Sequence, residues 1–159
     1  SRTIDVAVAP IGLSDAGLKS RPLWSEKLFV VVAEDNHLVD QERIYWQVLR
    51  REVFVVPNSG IGPILGNLIS ARLTEQAYRP AIIYQDTSLE SVLSMVAAKR
   101  FITIATEASQ GVAWPGLEFR EIYDPSGPAR LEYALYWRED NDNPAIQRFF
   151  KLIEERYPG

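Results

Sequence analysis

Cysteine is absent from the 159 residues, which removes disulfides, thiolate nucleophiles and Cys-based zinc sites from consideration. Histidine occurs once, as His37, in the polar turn Glu34-Asp35-Asn36-His37. With no second His or Cys to help hold a metal, a surface role is expected for it. No Ser, His and Asp combination, P-loop or dinucleotide fingerprint is found, and Gly60-Ile61-Gly62 lacks the third glycine. An enzyme reading therefore has no residues to rest on. Neither sign of charge dominates, with 17 Lys and Arg against 21 Asp and Glu. The net charge is -4 and the pI about 5.1, and the densest basic spots are the pairs Arg50-Arg51 and Lys99-Arg100, so this chain by itself is not expected to bind a phosphate backbone. No apolar run approaches the roughly 20 residues that span a bilayer, and Ser1-Arg2-Thr3-Ile4-Asp5 lacks the regions of a signal peptide. A cytoplasmic protein with no membrane partner is the default expectation.

Short apolar runs divided by turns are plentiful. Ile4-Asp5-Val6-Ala7-Val8-Ala9 and Lys27-Leu28-Phe29-Val30-Val31-Val32-Ala33 are nearly continuous and predict strands covered on both faces. Gln41 to Arg51 reads as a weak helix, Val53 to Val56 as a strand, and Pro57-Asn58-Ser59-Gly60 as a break. From Ile61 to Ala77 apolar residues recur at helical steps. A strand over 81–84 follows, then the capping box Thr87-Ser88-Leu89-Glu90 and a stripe of Leu89, Val92, Leu93, Val96 and Ala97. Further strands are predicted over 101–105, over 118–122 in half-exposed alternation, and over 131–137. Asn143-Pro144 marks the start of a terminal helix whose buried face is Ile146, Phe149, Phe150 and Ile153. Strands alternating with helices in the middle predict an α/β protein with a mainly parallel sheet. The four tryptophans have no regular spacing and are assigned to packing. Glu154-Glu155 and Asp140-Asp142 are assigned to a solvated helix face and a loop.

Five segments in order carry a family resemblance: Ile4 to Val8; Gly17-Leu18-Lys19-Ser20-Arg21-Pro22-Leu23; Glu26 to Val32 with Asn36-His37-Leu38; Asp86 to Ala98 with Ile102 to Ala105; and Leu131 to Arg138 with Pro144 and Phe149-Phe150. Together they resemble the effector-binding domain of LysR-type transcriptional regulators. Two positions depart from the pattern. Asn36-His37-Leu38 replaces His-Pro-Leu, and Lys99-Arg100-Phe101 stands where the family has Gly-Leu-Gly, so a left-handed turn must be made without glycine.

The resemblance implies a two-lobed, type II periplasmic-binding-protein-like α/β fold with the first lobe incomplete. Residues 1–31 and 132–159 would form part of lobe I, and 32–131 lobe II. It implies a small-molecule effector such as a small organic anion, and a homo-oligomer, dimer or tetramer. Operator DNA would be reached only through an upstream helix-turn-helix, and neither cofactor nor metal is called for. The alternatives are a solute-binding protein of a transport system and a dehydratase-like enzyme on the same fold.

Ligand sites in such folds favour helix N-termini and closely approachable backbone. Asn58, Ser59, Gly60, Ile61 and Pro63 lead into one helix, and Thr87 and Ser88 open another at a strand end. Thr87 is equally well explained as an N-cap. Pro10 and Ile11, where the family places a third contact, and Tyr133, at the return crossing, complete the candidates.

Overall fold

A computed structural model describes residues 6–11, 17–110, 114–138 and 144–156, the side chains at 144–147, 149 and 153 excepted. The expectations for Ile4, Asp5, Asp140, Asp142, the Asn143 cap and the faces of Ile146, Phe149 and Ile153 lie outside the described residues. In chain order the elements are β1 (Val6–Pro10), β2 (Leu18–Ala33), β3 (Arg43–Tyr45), β4 (Val53–Pro57), α1 (Gly62–Leu73), β5 (Ala81–Gln85), α2 (Leu89–Ala97), β6 (Thr103–Thr106), α3 (Glu107–Gln110), β7 (Leu117–Asp124), β8 (Gly127–Pro128), β9 (Arg130–Arg138) and α4 (Pro144–Arg156). The chain divides into two compact units, 1–25 with 131–159, and 26–130. These divisions fall six residues before and one residue before the boundaries expected from sequence.

In the first unit, β1 and β9 form an antiparallel ladder from Val6↔Trp137 to Pro10↔Tyr133. The run at β1 is not covered on both faces as expected, because Ala7 and Val8 are exposed. The continuous apolar pattern there reflects the strand preference of β-branched residues, not two-sided burial. Trp137 packs edge-on against Phe150 of α4, ring centroids 4.8 Å apart, and Arg21 pairs with Glu154.

The second unit holds the main core. Leu28 to Ala33 of β2 are all buried between β6 on one side and β7 on the other, both antiparallel. Paired at both edges and buried at successive positions, β2 is a central strand whose two faces are both covered, which matches its unbroken apolar run. Beyond β7 lies β3, parallel to it. A second parallel set runs β5–β4 and, through the bridge Phe54↔Ile102, on to β6. The sheets are therefore mixed, not mainly parallel: tight connections such as that between β7 and β8 return the chain antiparallel, while the parallel pairs β3–β7 and β4–β5 are joined by long crossovers. β7 also lacks the expected alternation, being half-buried at every position except the buried Ile122.

The segment 41–51 is not a helix. Strand β3 interrupts it, between 3-10 turns at His37–Asp40 and Trp46–Leu49. Ile44, Trp46 and Leu49 turn inward, and the Trp46 indole N–H donates to Asp124 at 2.9 Å. Tertiary pairing with β7 has overridden a weak local preference.

Strand β4 is enclosed on both faces. Its Val55 joins Val31, Val92, Leu93, Val96 and Ala105 in one buried cluster, while Phe54 and Val56, of opposite pleat, are equally inaccessible. Each such side chain contributes about 1.5–3 kcal/mol on burial. Helix α2 ends on Lys99, which itself adopts the left-handed conformation at φ 75. A non-glycine there costs roughly 1 kcal/mol. Its ammonium lies 2.6 Å from the Asp35 carboxylate, which holds Asp35 below and Lys99 above their ordinary pKa values.

Candidate functional site

Strands β5, β4 and β6 run parallel, so Gln85, Pro57 and Thr106 end at one edge of the sheet. From β4 the chain passes through α1 to one neighbour, and from β5 through α2 to the opposite one. The order thus reverses at β4, the kind of switch point where open α/β sheets leave a crevice beyond their strand ends. A recess of about 230 Å³ lies there, wholly within the 26–130 unit, lined by Pro57, Ser59, Gly60, Ile61, Gly62, Leu65, Thr87, Ser88, Leu89, Ile104, Ala105, Thr106 and Ser109.

The close approach of α1 to β4 creates one wall. A Cβ on Gly62 would lie 1.8 Å from the Pro57 carbonyl oxygen, so only glycine lets the helix start this near the strand. Gly60 turns the chain at φ 61, and the Gly62 N–H donates to the Ser59 carbonyl at 3.1 Å. No side chain caps α1. Among the described residues the amides of Gly60 and Ile61 have no backbone acceptor, which leaves donors beside the recess.

The second wall is the start of α2, and here the structure corrects the capping box. The N-cap is Ser88, whose hydroxyl accepts the Ser91 N–H at 3.3 Å. Thr87 lies one residue before the cap, its own N–H donating to the Gln85 carbonyl at 2.9 Å. The capping role assigned to Thr87 passes to Ser88 because Ser88 has the extended backbone of a cap and the helix begins at Leu89.

The floor comes from β6 and α3. Two crossed hydrogen bonds hold α3 in place: the Ala108 N–H donates to Glu26 at 3.1 Å, and Glu107 accepts the Lys27 N–H at 2.8 Å. They fix Thr106 and Ser109 against the opening.

Of the residues singled out from sequence, Ser59, Gly60, Ile61, Thr87 and Ser88 meet around this recess. Asn58 and Pro63 do not line it; Asn58 joins the ends of β4 and β5 through its N–H to the Gln85 carbonyl, 2.8 Å, and Pro63 occupies the first turn of α1. Pro10, Ile11 and Tyr133 belong to the other unit, gathered at one end of the β1–β9 ladder. Pro10 is the register partner of Tyr133, the Ile11 N–H donates to the Glu132 carbonyl at 2.7 Å, and the Tyr133 ring stacks on Trp24 at 5.2 Å. Thr106, Ser109 and the apolar lining of Leu65, Leu89 and Ile104 were not anticipated. A threonine closing a strand directly before a helix was the available signal.

The 26–130 unit has a larger recess, about 690 Å³, lined by His37, Gln47, Val48, Arg50, Arg51, Glu52 and Tyr78. Arg50 lies over the Tyr78 ring at 4.6 Å and 3.5 Å from Glu75, and His37 is 4.0 Å from Glu52.

The sequence matches the LysR substrate binding domain family model over residues 1–158. The chain belongs to that family. Among curated relatives it is 21% identical to the HTH-type transcriptional regulator ClcR of Pseudomonas putida over 97% of this chain and 52% of that protein. It is 24% identical to the uncharacterized HTH-type transcriptional regulator YwbI of Bacillus subtilis over 87% of this chain and 45% of that one. The chain thus spans about half the length of the curated relatives it matches. The BenM effector binding domain with its effector benzoate superposes with a TM-score of 0.74, at 21% identity, over 97% of this chain and 69% of that one. Full-length CbnR complexed with its target DNA gives 0.69, at 17% identity, over 98% and 54%. The fold is that of LysR effector-binding domains, of type II periplasmic-binding-protein-like architecture. The family match favours the regulator's domain over a transporter's solute receptor. Among the described residues no helix is long and apolar enough to cross a membrane.

Proposed function

We propose that this chain is the sensing part of a cytoplasmic transcriptional regulator, and that a small metabolite anion binds at the recess where α1 and α2 begin. The observation that carries this reading is the convergence of Ser59, Gly60, Ile61, Thr87 and Ser88 on one cavity at the carboxyl ends of parallel strands. Two helix N-termini there supply about half a positive charge each, and serine and threonine hydroxyls supply neutral donors. Such groups hold a carboxylate without a base, nucleophile or metal, so the reading is of binding and not of catalysis. Pro10, Ile11 and Tyr133 stay candidate ligand residues of the other unit, which we read as part of lobe I, with 26–130 as lobe II. Operator DNA would be reached through a helix-turn-helix outside this chain, and the regulator would act as a dimer or tetramer. Ligand acts by preferring one arrangement of the protein over another, and only to the extent of that preference.

Thermal-shift titration against a panel of small organic acids, amino acids and sugars tests the reading. Stabilisation that rises with ligand concentration as linkage requires, and that Ser59→Ala or Thr87→Ala weakens, is the expected result. A folded chain that no acid stabilises, or that an acid stabilises equally in both variants, would count against this site.

A further inference from the structure

Thr106 is only 5% exposed, yet its hydroxyl makes no hydrogen bond with any described residue. It also differs from Thr103, three residues earlier, whose hydroxyl is sealed from solvent as well as unpartnered. The Thr106 oxygen retains access, and the opening beside it is the recess between α1 and α2. A nearly buried hydroxyl with no partner among the described residues is costly to keep unless something that enters the recess bonds it. Valine would fill the same volume in a buried strand without that penalty.

Charge limits what could use it. No Lys, Arg or His lines the recess among the described residues. The two helix starts together offset about one negative charge, so a second carboxylate on the ligand would be desolvated against neutral groups only. The cavity also falls below the roughly 300 Å³ at which pockets for drug-sized molecules begin. Its remaining walls, Ile61, Leu65, Leu89 and Ile104, are apolar.

We infer that Thr106 reads a neutral oxygen on the ligand, and that the ligand is a small monocarboxylate with a compact apolar body and one hydroxyl or oxo group. The inference rests on the proposed binding of an anion in this recess. The carboxylate occupies the helix starts near Ser59 and Ser88. The apolar body lies along Ile61, Leu65 and Ile104, and the second oxygen exchanges a hydrogen bond with Thr106, with Ser109 nearby on α3. Thr106 is in this sense a specificity residue, since an unsubstituted acid leaves its hydroxyl unpaired.

The test uses matched acids on the whole chain: 3-methylbutanoate with its 2-hydroxy and 2-oxo derivatives, and benzoate with 3- and 4-hydroxybenzoate, by calorimetric titration. The wild-type chain should bind at least one oxygenated member about tenfold more tightly than its parent, the difference expected of one buried hydrogen bond. Thr106→Val should abolish that preference without weakening the parent acid, and Thr106→Ser should keep it. Without ligand, Thr106→Val should melt no lower than wild type, because the hydroxyl has no partner among the described residues to lose. Parent and derivative bound alike, or a valine variant that weakens both equally, would overturn the inference and leave the anion site standing. A valine variant that melts lower than wild type would also overturn it, since the hydroxyl would then have an internal partner. If no acid in either set binds, the inference and the anion site fall together.

Discussion

The two recesses of the 26–130 unit differ in a way that runs against size and charge. The larger has two arginines, a histidine and a glutamate on its walls, but Arg50 is engaged by Tyr78 and Glu75 and its Nε is buried without an acceptor, while His37 faces Glu52. These charges largely answer one another. The smaller has no charged lining among the described residues, yet it holds donors that no described residue uses. What marks a binding site here is the unspent hydrogen-bonding capacity of neutral groups, held where strand ends and helix starts converge.

The comparison is broken most severely by Gly62→Ala. The added carbon would meet the Pro57 carbonyl, and backbone cannot swing aside, so a loss of about 3 kcal/mol in chemical denaturation is expected together with loss of acid binding. Gly66→Ala is the control. Its new carbon meets only the end of the Tyr84 side chain, which is 42% exposed and free to turn, so the loss should be clearly smaller.

Ser88→Ala removes the cap of α2 and should cost about 1 kcal/mol, read in the same denaturation experiment, with weaker acid binding because the helix start frays. Lys99→Gly, far from both recesses in its logic, should change stability in the opposite direction, by up to about 1 kcal/mol, because glycine accepts φ 75 without strain. Its advantage depends on pH. Asp35, lowered in the folded chain, contributes only above its own titration, and that contribution is lost as pH falls through the folded value. Lys99, raised, contributes below its unfolded pKa, and the contribution is lost as pH rises through the folded one. The pair therefore favours wild type between the two titrations, and the glycine variant should gain relative to it at either extreme. Both groups are fully solvated, so the pH effect is small. Smallest of all is Arg51→Ala in the larger recess. It should alter stability by no more than about 0.5 kcal/mol and leave acid binding unchanged. Loss of acid binding in this variant would move the site to the larger recess.

Much of this contrast could not be read from the chain. Arg50 and His37 stand out in a sequence, whereas the groups that meet them, Glu75 and Tyr78 for Arg50 and Glu52 for His37, are brought up only by folding. The segments around Ser59 and Thr87 were legible because turn-forming residues before an apolar helical stripe have a local physical meaning. Thr106 was not, because its importance lies in a hydrogen bond that is missing. The capping box pointed to the right helix start and the wrong residue: Thr87 and Ser88 are chemically equivalent caps, and the backbone conformation at Ser88 chose between them.

By itself the sequence determined the periodicities of β2, β4, α1 and α2, the lack of any thiol in this chain, and the family, since each depends on residue types at short separation. Only the tertiary structure decided that 41–51 would pair as a strand and turns, that the sheets would be mixed, and that Lys99 would bear the left-handed turn. It also decided that Thr106 would close a recess begun some 45 residues earlier in the chain at Ser59. Those outcomes depend on which distant groups remain to satisfy a buried donor or fill a strand edge, and that is settled when the chain packs.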